Sequence, residues 1–65
     1  MDNTNSMLEE YEQLSERVSK LKDFRYTDEF KKLPEDERDD IEFQFNAMCK
    51  YRNGLYRRLW RRGLK

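Results

Sequence analysis

From Met7 onward, apolar residues recur at Tyr11, Leu14, Val18 and Leu21, in steps of four, three, four and three. Alternating steps of four and three keep side chains on one narrow face of an α-helix, the kind of seam by which helices pack together. Leu8 and Phe24 extend the seam and no Gly or Pro interrupts it, so a first helix is expected over about 6–25. Ser6-Met7-Leu8-Glu9 has the spacing of a capping box at its start, and residues 1–5 ahead of it read as a flexible polar terminus. A second stripe runs through Ile41, Phe45, Met48, Arg52, Leu55 and Leu59. Tyr56 and Trp60 widen it on one side, Tyr51 and Gln44 on the other.

Between the stripes, Thr27-Asp28-Glu29-Phe30 reads as an N-cap and a short helical turn, giving an element over 28–33. Pro34 suits the first turn of the next helix, where its missing N–H costs nothing. Glu35, Asp36 and Glu37 then set negative charge at the positive end of the helix dipole. This second long helix is expected over about 34–62, stopped by Gly63, with 63–65 as a tail. Asn53-Gly54 is a turn signal inside it, and a helix glycine costs about 1 kcal/mol relative to alanine. The stripe nevertheless keeps its phase from Met48 to Leu55 to Leu59, which favours one continuous helix with Gly54 open to close approach by another backbone. Two long helices with so short a connection lie antiparallel. The expected fold is therefore all-α: an antiparallel two-helix hairpin with a short intervening helical turn.

A chain of 65 residues buries too little surface to be robust alone and usually needs a disulfide, a metal or oligomerisation. Cys49 is the only cysteine and there is no histidine, which removes an internal disulfide and leaves no ordinary zinc ligand set. No metal and no cofactor is expected. Oligomerisation is the remaining device, and the hairpin is expected to assemble into an oligomeric helical bundle. Nine aromatics, more than a two-helix hairpin can cover, point the same way, with Phe43 almost opposite Ile41 and Trp60 well off the seam. Such residues mark a subunit interface, line a ligand-stacking pocket, or are simply exposed. There is no membrane-length apolar run and no signal-peptide core, and a lone thiol suits a reducing cytoplasm.

Charge is sharply divided. Positions 50–65 hold seven of the fourteen basic residues and no Asp or Glu. The balanced total counts against a general nucleic-acid-polymer binder, which is usually basic throughout. Three uses of the basic segment stay open: complementing the helix dipole and the acids of the first helix, holding a phosphate-bearing small ligand, or gripping a polymer as a basic nucleic-acid-binding helix. For a ligand, Arg52, Arg57, Arg58 and Arg61 are the candidate phosphate binders and Tyr51, Tyr56 and Trp60 the candidate stacking residues. Arg52 lies on the seam, where an arginine either pairs with a carboxylate, extends to the edge, or meets a ligand phosphate. Catalysis is not expected: no histidine, no activating base beside Cys49 and no glycine-rich phosphate loop are present.

The pattern Leu14, Arg17, Val18, Leu21, Phe24, Phe30, Leu33, followed by Ile41-x-x-Gln44-x-x-x-Met48-x-x-Tyr51-x-x-x-Leu55-x-x-Arg58-Leu59, resembles a group of small tailed-phage helical-hairpin proteins. That group is similar to the hairpin domain of phage anti-CBASS and anti-Thoeris cyclic-nucleotide sponges. The resemblance covers roughly residues 8–59 and implies a homo-oligomeric counter-defence protein in the cytoplasm of an infected bacterial host. Such a protein sequesters a cyclic or adenine-containing nucleotide messenger at its subunit interfaces without chemistry. Apart from Arg58 and Leu59, the arginine-rich end from Arg57 to Lys65 is not part of the shared pattern. A rival reading takes the acidic run Glu35 to Glu42, with Asp28 and Glu29, as a phosphate mimic by which the protein inhibits a host defence enzyme or a CRISPR effector.

Overall fold

The structure, a computed structural model, describes residues 4–63, except for the side chain of Thr4. It contains three helices: α1 (Thr4–Phe24), α2 (Asp28–Lys31) and α3 (Glu35–Arg61). α1 includes Asn5, and Ser6 lies inside its first turns. A capping residue has non-helical backbone angles, so Ser6 does not form the expected cap. Met1, Asp2 and Asn3 lie outside the described residues.

The connection is built by Thr27. Its hydroxyl donates to the Phe24 carbonyl at 2.7 Å and accepts from the Phe30 N–H at 3.2 Å, ending one helix and capping the next. The Phe24 and Phe30 rings meet edge to face across this joint, 5.8 Å apart. Pro34 sits just before α3 as its N-cap rather than within its first turn, and its carbonyl accepts from the Arg38 N–H at 3.0 Å. α3 runs unbroken through Asn53-Gly54, as the phase of its apolar stripe required. It stops at Gly63, whose φ of +78° is the left-handed geometry that glycine adopts most easily.

α1 and α3 pack along their length as an antiparallel pair, giving a rod 46 × 18 × 15 Å. The core is small: Met7, Leu14 and Val18 of α1 with Leu55 and Leu59 of α3, flanked by Leu8, Tyr11, Phe45, Met48 and Cys49. All five core residues come from the two seams; those of α1 run from Met7 to Val18, while those of α3 are confined to Leu55 and Leu59 near its end. Nearer the connection, Arg25 takes over. Its Nε and Nη2 donate to the Glu42 carboxylate at 2.6 and 2.9 Å, and its guanidinium lies 4.3 Å from the centre of the Phe45 ring. The Arg25 hydrogen bonds pull the Glu42 carboxyl below its ordinary range.

Not every charge that the antiparallel arrangement brings near meets a partner within the hairpin. Among the described residues, Glu9 and Glu12 make no ion pair with Arg57, Arg58 or Arg61, and Glu16 pairs with Lys20 on its own helix at 3.3 Å. Arg57 and Arg61 sit on the outer face of α3, turned away from α1, so proximity of helix ends does not bring their charges together. Among the described residues, no helix is long and apolar enough to cross a membrane.

Candidate functional site

Arg57, Arg58 and Arg61 follow Gly54 by three, four and seven residues, spacings that return to one helix face. Together with Gly54 they line a shallow cup of about 280 Å³ on the outer surface of α3. Gly54 supplies the space: a Cβ at that position would meet nothing within 4 Å. All three arginines are exposed, and none has a carboxylate partner among the described residues. Three guanidiniums without a carboxylate partner around an open floor have the chemistry to accept an anion, since each presents a planar fork of donors matched to phosphate oxygens.

The other four residues singled out in the sequence do not join this cup. Arg52 is half-buried on the α1-facing side of α3 and has no ion-pair partner among the described residues. Tyr56 packs on Tyr11 with ring centres 5.9 Å apart and planes tilted by 43°. Trp60 is exposed, nine residues from Tyr51; at about 100° per residue the two rings leave opposite sides of the helix. Tyr51 is the nearest of the four, one helical repeat before Arg58, which acts on its phenol electrostatically. The Tyr51 hydroxyl donates to the Glu10 carboxylate. That hydrogen bond, with partial burial and the Glu10 charge, raises the phenol above its ordinary value, outweighing the opposing pull of Arg58. Lys65, on the same basic face by sequence, lies outside the described residues.

A second concavity escaped sequence reasoning. Arg17, Lys20, Leu21 and Phe24 of α1 face Gln44 and Met48 of α3 across an open groove of about 370 Å³ with a largely apolar floor. Most of these residues belong to the seam pattern, where they read as core. They are not core at this end because the connection leaves that flank of the hairpin uncovered. On the acidic run, Glu42 is committed to Arg25, and Asp36 accepts from the Glu37 backbone N–H at 2.9 Å. Asp39 and Asp40 are exposed. No group of three or more Cys, Asp or Glu side chains among the described residues is placed to hold a metal ion.

The model of the Sequestin family covers residues 1–61, a span that contains both long helices and all three arginines of the cup. No curated protein and no solved structure matches the chain. With nearly the whole chain covered by that match, this helical hairpin belongs to the Sequestin family.

Proposed function

We propose that this hairpin binds a small phosphate-bearing nucleotide and withdraws it from solution without transforming it. The carrying observation is the Gly54 cup, with three arginines that no carboxylate of the described chain neutralises. Charge-assisted bonds from Arg57, Arg58 and Arg61 hold the phosphates, and the open floor over Gly54 lets them come close to the helix backbone. Tyr51, beside Arg58, is the one candidate aromatic placed to border such a ligand. The family's name speaks of sequestration, and the sponge resemblance supplies the ligand class, a cyclic or adenine-containing messenger of a bacterial defence system. On this reading the protein is a phage counter-defence factor acting in the cytoplasm of the infected host, with no enzymatic step. Arg52, Tyr56 and Trp60 fall outside the binding role.

The rival, an acidic mimic that inhibits a host protein, would act through the exposed acids of the run, because Glu42 is engaged within the hairpin. Titration calorimetry against cyclic dinucleotides, cyclic trinucleotides and cyclic ADP-ribose variants tests the proposal. At least one member should bind more tightly than about 10 µM, near −7 kcal/mol, and the Arg57→Ala/Arg58→Ala/Arg61→Ala variant should lose that binding. No binding across the panel, or undiminished binding by the triple variant, overturns it.

A further inference from the structure

Phe43 is 78% exposed, the highest value among the exposed large apolar side chains. It lies on the outer face of α3, on the same line as the Gly54 cup. That line forms a second seam: from Asp36 through Phe43 and Lys50 to Arg61, positions recur in steps of four and three, and all of them are exposed. Along the chain this seam is acidic at first, then aromatic and small, then basic. A surface with opposite charges at its two ends complements a reversed copy of itself.

We infer that a second copy of this chain docks antiparallel on the outer face of α3, forming a two-fold dimer whose axis crosses the helix between Met48 and Cys49. In that register Asp36 faces Arg61 of the second copy and Asp40 faces Arg57. Phe43 faces Gly54, and Ala47 faces Lys50. All four pairs are symmetric about the same point, so a single alignment satisfies them together, as an isologous interface requires. The seam extends over about 38 Å of helix at 1.5 Å per residue.

Two features left over from the hairpin find a use here. A glycine in a helix is unfavourable relative to alanine, and Gly54 has no neighbour within its own chain that needs the space. The Phe43 ring of the second copy fills that space, against the guanidiniums of Arg57 and Arg58. Asp36, Asp40, Arg57 and Arg61 have no ion-pair partner among the described residues, and the dimer gives each of them one.

The inference does not rest on nucleotide binding, but both draw on Arg57 and Arg61. A phosphate ligand and the aspartates of the second copy therefore compete, and by linkage each weakens the other.

Sedimentation velocity of the full chain, without nucleotide and across the micromolar range, tests the dimer. A dimer is expected at low salt, loosening as salt screens its ion pairs. Phe43→Ala and Gly54→Gln should each weaken it about tenfold or more. Asp36→Lys/Asp40→Lys and Arg57→Glu/Arg61→Glu should each be monomeric, and mixing them should restore a one-to-one dimer, because every pair is then opposite in charge. Circular dichroism of each variant reports whether the hairpin itself remains folded. A wild-type monomer at all these concentrations, or two reversed variants that stay apart when mixed, overturns the inference. A dimer that binds no nucleotide removes only the functional proposal, and a monomer that binds nucleotide removes only the dimer.

Discussion

Leu59 is fully buried and Trp60, the next residue, is 63% exposed, so truncating each in turn isolates the contribution of the α1–α3 seam. Leu59→Ala removes the equivalent of about three methylene groups at ~0.8 kcal/mol each and leaves a cavity, for a cost of roughly 3–4 kcal/mol. A chain of 65 residues is stabilised by roughly 3–10 kcal/mol in total. The variant should therefore lose a third or more of its stability, and at the lower end of that range be unfolded at room temperature. Trp60→Ala removes a larger side chain that is mostly exposed, and should cost clearly less, at most about 2 kcal/mol. Circular dichroism melts in dilute solution measure both. At about 4–8 °C per kcal/mol for a domain this small, Leu59→Ala should lower the midpoint by more than about 12 °C. Equal losses for the two variants, or a Leu59→Ala midpoint within a few degrees of the parent, would refute the seam as the source of stability.

Four further outcomes follow from the geometry. Gly54→Ala in dilute solution should raise stability by up to about 1 kcal/mol, because a Cβ there meets nothing and alanine is the better helix former; a thermal melt checks this. The Glu42 carboxyl is held below its ordinary 4.5, so the stability it contributes is complete above that value and is lost as pH falls through the depressed one. Urea midpoints of Glu42→Gln should accordingly fall less steeply with acid than those of the parent. The Tyr51 phenol is held above 10.0, so its contribution is complete below that pH and is lost as pH rises through the raised value; in an absorbance titration one tyrosine should ionise late, and Glu10→Gln should bring it back towards 10.0. Arg57→Ala/Arg61→Ala should leave helicity at room temperature nearly unchanged while abolishing anion binding, as circular dichroism and calorimetry would report.

The hairpin was legible because its determinants are local and periodic. Steps of three and four set both seams, Thr27 announced the joint, and Gly63 marked the stop. The persistence of phase from Met48 to Leu59 outweighed the turn signal at Asn53-Gly54, since one glycine costs less than abandoning Leu55 and Leu59. The Ser6 cap failed for a reason of the same kind. A capping box describes a local option, and an N-terminal extension of the helix satisfies the same backbone groups without it.

The candidate site was legible only in part. Arg57, Arg58 and Arg61 share a face by spacing alone, so their grouping could be read from sequence. Tyr51, Tyr56 and Trp60 were grouped by nearness in the chain, yet their angular positions differ too far for one pocket. The Arg17–Met48 groove could not be seen, because a seam residue at the end of a hairpin looks the same in sequence whether or not a neighbour covers it. Charge placement is local in the same way: antiparallel helices bring their ends together, while the facing of each side chain decides which charges meet.

Capture without chemistry is open to a depletion-and-release experiment. The protein is mixed in excess with the nucleotide it binds best, and the free nucleotide is measured before and after the protein is denatured by heat. The account expects the free nucleotide to fall as the complex forms and to return in full, chemically intact by mass spectrometry, with no depletion by the Arg57→Ala/Arg58→Ala/Arg61→Ala variant. A nucleotide that comes back altered, or that is depleted equally by the variant, would contradict it.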